Sequence, residues 1–162
     1  MWLASPKASQ GSGHVATAAR GSVGHVGIFG GRKSGKRVEP HGLFAADAAQ
    51  LAALADRGAN VTQARESEFF LSFRSDVGAR GAADELRSRR VASELVEPSH
   101  DVAEWMVFVR GRSPLVPDFL RDTVDLCESL ASTYKGDYEG WAALLTPAER
   151  DAVDPGWREL IL

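Results

Sequence analysis

Cysteine is nearly missing: Cys127 is the only one in 162 residues. No internal disulfide can form, and a reducing compartment such as the cytoplasm is the simple expectation. Histidine is sparse too. His14, His25, His41 and His100 fall at no metal-ligand spacing, and a single cysteine cannot complete a structural zinc site. Long apolar runs are also lacking, since nothing approaches the roughly 18 residues that a membrane-spanning helix takes. The N-terminus carries no compact apolar stretch of the secretory kind. These absences remove disulfide scaffolds, zinc modules and membrane spans. No metal, cofactor or membrane partner is expected.

Acidic residues are scarce in one region only. Residues 1–40 hold Lys7, Arg20, Arg32, Lys33, Lys36 and Arg37 against Glu39, a net charge of +5. The whole chain carries −3, so residues 41–162 carry −8. A domain that acidic does not favour a nucleic-acid backbone, which calls for clustered Lys and Arg. It suits a protein partner or a cationic ligand. Residues 1–40 also contain eight of the sixteen glycines and little apolar periodicity, so they read as a disordered basic leader.

Within that leader, Gly30-Gly31-Arg32-Lys33-Ser34-Gly35-Lys36-Arg37 follows the apolar Val26-Gly27-Ile28-Phe29 and comes close to a phosphate-binding loop. It falls short at two points. Magnesium ligation needs Ser or Thr where Arg37 stands. The loop must also open a helix, which Glu39-Pro40-His41-Gly42 does not continue. His100-Asp101 reads as a solvated turn, and Cys127 sits on an apolar helical stripe where it serves as a small hydrophobe. No catalytic residue is nominated, and the chain reads as a non-enzyme.

The periodic segments begin with a helix over about 43–57, carrying Phe44, Ala48, Leu51, Leu54 and Ala55 and stopped by Gly58. Glu68 to Phe73 alternates as a strand with Phe69, Leu71 and Phe73 on one face. A helix over 76–90 follows, with Ser75 or Asp76 as its cap and Val77, Ala82, Ala83, Leu86 and Arg90 along one side. Strands over about 91–96 and 104–110 flank the proline-bearing loop Glu97-Pro98-Ser99-His100-Asp101. Pro117 opens a helix to about 134, with Phe119, Thr123, Leu126, Cys127, Leu130 and Tyr134 as its apolar stripe. Gly136 ends it, and a strand over 138–144 comes next. Thr146-Pro147-Ala148-Glu149 writes a capping box for a short final helix.

From Glu68 onward the order is strand, helix, strand, strand, helix, strand. That order predicts an α+β fold of the ferredoxin-like βαββαβ type, an antiparallel sheet with helices on one face, preceded by an N-terminal helix and the leader. The last strand is expected beside the first, at an edge. The predicted units are a leader over 1–40, a domain over 43–145, and a short helix with a tail over 146–162.

Two groups of residues are candidates for binding. Asp118, Asp122 and Asp125 run along one flank of the 117–134 helix, and Asp137 and Glu139 extend that acidity into the last strand. Such a flank either stays solvated or docks a basic partner segment. The second group is Tyr138-Glu139-Gly140-Trp141. A glycine weakens a strand interior unless a bulge or a close backbone approach needs it. Tyr138 and Trp141 either fill the core, as Trp105 and the phenylalanines do, or form a hot spot on an edge strand.

The segment Gly136-Asp137-Tyr138-Glu139-Gly140-Trp141 resembles the terminal signature of the regulators of ribonuclease E activity B, the RraB-like domain family, with Glu139 where that family has Asp. The helix ending at Gly58, the strand Glu68-Phe69-Phe70-Leu71-Ser72-Phe73 and the strand Trp105-Met106-Val107-Phe108-Val109 fall in the family's order, so the resemblance spans about 43–145. It implies a ferredoxin-like domain without catalytic activity that inhibits ribonuclease E by binding the enzyme rather than RNA. The chain departs from the family in its basic leader and in its apolar end, Pro155-Gly156-Trp157-Arg158-Glu159-Leu160-Ile161-Leu162. The two functions in competition are thus a regulator that binds a protein such as a ribonuclease, and a ferredoxin-like module for small-ligand binding or dimerisation.

Overall fold

Alternation at Phe69, Leu71 and Phe73 builds the central strand of an antiparallel sheet. A computed structural model describes residues 25–27, 35–100 and 102–151, the first three as backbone alone. Its elements are β1 (His25–Gly27), β2 (Arg37–Val38), β3 (Leu43–Phe44), α1 (Ala45–Asp56), β4 (Ala64–Phe73), α2 (Asp76–Ser88), β5 (Ser93–Val96), β6 (Trp105–Pro114), α3 (Pro117–Tyr134), β7 (Gly136–Leu144) and α4 (Pro147–Asp151). The architecture is α+β. One sheet runs in the order β1-β7-β4-β6-β5, and β2 pairs with β3 apart from it. All the described pairings are antiparallel.

Strand β4 is buried on both faces from Phe70 to Phe73. Phe69, Leu71 and Phe73 join Val107, Val109, Leu86, Leu120 and other helical side chains in the main core. Phe70 packs on the opposite face with Met106, Phe108 and Ala142, and the rings of Phe70 and Phe108 meet edge to face at 5.2 Å. Both helices α2 and α3 therefore cover the same side of the sheet.

The local signals for the helix ends operate as the residues dictate. Ser75 Oγ accepts the Gly78 N–H at 3.2 Å at the start of α2. Pro117 stands in the first turn of α3, where its missing N–H costs nothing. Gly58 follows α1 with φ +81° and donates its N–H to the Ala55 carbonyl at 2.8 Å. At the other end of α3 the cap is Lys135, in the left-handed region at φ 58°, and Gly136 already belongs to β7.

Several expectations need correction. Two parts of the stretch read as a disordered leader form strands: His25–Gly27 pairs with Ala142–Leu144, and Arg37–Val38 pairs with Leu43–Phe44. Residues 1–24 and 28–34 lie outside the described residues, as does the tail over 152–162. Strand β7 does lie beside β4, but β1 lies outside it, so β7 is not the edge. Gly35 and Lys36 are in no regular element and Arg37 begins a strand rather than a helix; residues 30–34 of the near-phosphate loop lie outside the described residues. Of the expected first stripe, Phe44 and Leu54 are buried and Ala48 and Leu51 pack partly buried against the core, but Ala55 is exposed and Asp47 and Gln50 turn inward as well. In α3 Thr123, Cys127 and Leu130 are buried as expected, joined by Leu120, Val124 and Ala131, while Phe119, Leu126 and Tyr134 are only partly buried against the core. Val77 on α2 is 76% exposed, because Ala79, Ala82, Ala83 and Leu86 already fill the face toward the sheet.

The capping box at the start of α4 is anchored from outside. Thr146 Oγ1 accepts the Glu149 N–H, and Glu149 accepts the Thr146 N–H. Glu149 also receives two bonds from the Arg65 guanidinium, at 2.8 and 3.0 Å, and both side chains are largely buried. The Arg65 bond, ahead of the opposing effect of burial, holds the Glu149 carboxyl below the usual carboxylate range. A depressed folded pKa contributes stability that is present above the unfolded value, near 4.3, and is lost as pH falls through the folded one. Glu149→Gln is expected to cost about 1.5–3 kcal/mol at pH 7 and to flatten the acid limb of the stability curve. Denaturant titrations between pH 3 and 7 check it, and an unchanged acid limb in the variant would remove Glu149 from that role.

Candidate functional site

The family-like segment is organised by a β-bulge. Along β7, Tyr138 pairs with Leu71 and Gly140 with Phe70, so Glu139 is the extra residue where the register shifts. In a regular strand, residues three apart point to opposite faces. The inserted residue reverses that parity and brings both Tyr138 and Trp141 to the helical side. Gly140 has φ +124°, a conformation that residues with a Cβ rarely adopt. The glycine in the signature is there for the bulge, and the bulge is there to bury two aromatics in one core.

Tyr138 is 4% exposed and Trp141 1%. Of the two alternatives for these aromatics, the structure has the first: both pack in the core and leave little exposed surface. Tyr138 Oη donates to Asp47 Oδ1 at 3.4 Å, a long bond, and Gln50 Nε2 donates to the Trp141 carbonyl at 2.5 Å. The two polar residues buried by α1 thus dock that helix onto the signature strand. Burial pushes the Tyr138 phenol far up, and the nearby Asp47 adds to it. Cys127 lies fully buried in the same core. Burial first, then Glu128 and Asp47, pushes its thiol well above the usual range, which disfavours the thiolate.

Glu139 points the other way. Ser72, on the sheet face away from the helices, donates its hydroxyl to Glu139 Oε1 at 2.6 Å. Of the signature residues, the acids rather than the aromatics are what the molecule presents outward.

The acidic flank of α3 is exposed but not bare. Arg121 bonds both Asp118 and Asp122 at 3.0 Å. Arg37, 88 residues away in sequence, reaches Asp125 at 2.6 Å and lies over the Phe44 ring at 4.4 Å. Burial raises the Glu128 carboxyl, Arg37 lowers it, and Asp137 and Asp125 raise it again, which places Arg37, Asp125 and Asp137 in the neighbourhood of Glu128. Sequence reasoning found the carboxylates and missed Arg37 and Arg121. Arg121 was legible as a neighbour at helical spacing from Asp118, whereas Arg37 had no local signal.

Beside this flank a groove of about 300 Å³ opens between the end of β6 and α3, lined by Pro114, Val116, Phe119, Asp122 and Leu126 among others. Among the described residues, no three or more His, Cys, Asp and Glu are grouped to hold a metal ion. No described helix is long and apolar enough to cross a membrane.

No curated protein sequence matches the chain. A family model does match, over residues 45–142, and its span takes in α1, the sheet strands β4 to β7 and the bulge. On that match, over more than half its length, the chain belongs to the family of regulators of ribonuclease activity B.

Proposed function

We propose that this domain is a non-enzymatic regulator that modulates RNA turnover by binding a ribonuclease, with the acidic flank of α3 turned toward a basic segment of that enzyme. The family match over residues 45–142 carries this reading. The strand order β7-β4-β6-β5 with α2 and α3 on one face supports a ferredoxin-like sheet. A reducing compartment such as the cytoplasm suits the free, buried Cys127. The net charge of −8 over residues 41–162 argues against direct contact with RNA phosphates.

The surface named is Asp118, Asp122 and Asp125 with Asp137 beyond them; Glu139, bonded to Ser72 on the sheet face away from α3, stands apart from it. Two arginines already engage the first three, so the attraction is expected to steer association more than to supply most of the affinity. The test is cleavage of a model RNA by ribonuclease E, with and without the full chain, at two salt concentrations. The expected result is inhibition that weakens with salt, because exposed charges are screened over about 8–10 Å. Replacing Asp118, Asp122 and Asp125 together by Lys is expected to slow association about tenfold or more and leave the fold intact. Inhibition indifferent to salt and to the triple reversal would take the acidic flank out of the mechanism. No inhibition at all would leave the family membership describing the fold alone, and a ligand-binding or dimerising module would then be the better reading.

A further inference from the structure

We infer that Arg37 masks the acidic flank of α3: it occupies Asp125 as a cation supplied by the chain itself, and a basic segment of a partner docks by displacing it. The inference rests on the protein-docking reading above and adds the regulation of that surface. Three observations carry it.

The first is how the cation is held. Arg37 Nη1 donates to the Gly42 carbonyl at 2.7 Å, and the guanidinium carbon lies 4.4 Å from the centre of the Phe44 ring. Both partners lie on the hairpin that pairs β2 with β3, so the hairpin itself aims the guanidinium. The other arm, Nη2, leaves the hairpin and donates to Asp125 Oδ1 on α3 at 2.6 Å. This arrangement suits arginine, whose planar fork binds a carboxylate while its face stacks on an aromatic ring.

The second is that the contact can open without unfolding the domain. Leu43 and Phe44 are buried in the main core, whereas Arg37 and Val38 are only half-buried. The Gly42 N–H donates to the Val38 carbonyl at 2.9 Å, a bond that does not involve the Arg37 side chain. The hairpin therefore stays attached through β3 when the guanidinium swings away. The ion pair resists weakly. Its side chains are 36% and 52% exposed, and pairs of that kind are worth about threefold in an equilibrium.

The third is charge. Asp118 and Asp122 are engaged by Arg121, which stands on α3 itself and moves with them. Asp125 is engaged from outside the helix, by a residue of the stretch 1–40 that carries +5. A partner's basic segment offers the same chemistry, so the two compete for one carboxylate.

The test uses the full chain at physiological ionic strength, where charges farther than about 8 Å are largely screened, and the probe N-acetyl-triarginine amide. Arg37→Gln is expected to bind the probe about threefold more tightly than the unaltered chain. Lys36→Gln, the same charge change at the exposed neighbouring residue, is expected to leave binding nearly unchanged. In an Asp125→Asn background, Arg37→Gln is expected to bring no gain. In the unaltered chain the Arg37 Nε–H signal is expected to shift as the probe saturates. Equal gains from Lys36→Gln and Arg37→Gln overturn the inference in favour of net charge alone, as does a gain that survives Asp125→Asn. An Arg37 signal that stays still at saturation overturns it without any variant having to fold. No binding of the probe to either the unaltered chain or Arg37→Gln overturns it whatever ribonuclease E does. Inhibition of ribonuclease E by the unaltered chain that Arg37→Gln does not strengthen overturns the mask and leaves the regulator reading standing. Inhibition by neither form, with the probe gain present, removes the regulator reading and supports the exchange of Arg37 at Asp125.

Discussion

Trp141→Ala is expected to lower the unfolding free energy by about 3–5 kcal/mol, the range for deleting a large buried aromatic. Trp141 is among the largest fully buried side chains of the domain. Its ring lies 6.5 Å from that of Phe69, its β4 partner in the register. The indole N–H has no hydrogen-bond partner among the described residues, so alanine forfeits no polar contact and the loss is burial plus the cavity left behind. Neighbouring sheet strands restrict collapse into that cavity, which places the effect in the upper half of the range. Urea unfolding gives the measurement, with an unchanged m-value showing that stability rather than compactness moved. A loss below about 1 kcal/mol would mean that the indole is not a core residue. Trp141→Phe is expected to fall between, since it keeps the ring and shrinks the void.

Much of this was open to a reader of the sequence, because it is written locally. Alternation in Phe69, Leu71 and Phe73, the serine before α2, the proline opening α3 and the Thr146–Glu149 box each act within a few residues. What was hidden depends on partners far along the chain. Strand β1 has three residues inside a glycine-rich stretch and exists through its pairing with β7. Asp47 and Gln50 turn inward because Tyr138 and the Trp141 carbonyl await them, 91 residues away. The three-residue spacing of Tyr138 and Trp141 looks wrong for one face until the extra residue at Glu139 is counted. The acidic flank was visible as a list of carboxylates, but its state was set by Arg37, which nothing nearby in sequence connects to Asp125.

Gly136→Ala is expected to cost about 3 kcal/mol, at the upper end for overpacking. A Cβ at Gly136 would sit 2.3 Å from the Ser72 carbonyl oxygen and 2.4 Å from Phe73 Cδ1. Gly136 pairs directly with Phe73 in the register of β4 and β7, so the obstructing oxygen belongs to the central strand and cannot swing aside as a side chain would. Relief requires the start of β7 to part from β4 or the Phe73 ring to leave the core. The matched control is Gly35→Ala, where an added Cβ meets nothing within 4 Å, expected to change stability by less than about 0.5 kcal/mol. Thermal and urea unfolding of the two variants side by side make the comparison. Equal stabilities would mean that the chain enters β7 less tightly than the geometry requires.

The single thiol of this molecule doubles as a clock. Cys127 is sealed in the core and its ionisation is suppressed, so a thiol reagent in solution modifies it only in the moments when the domain opens. The modification rate at rising reagent concentration thus separates how often the fold breathes from how long it stays open, with no label added. The same silence makes any cysteine introduced on the surface the one fast-reacting site, so a probe set beside Leu126 or Asp125 would report on partner docking without a background from the native chain.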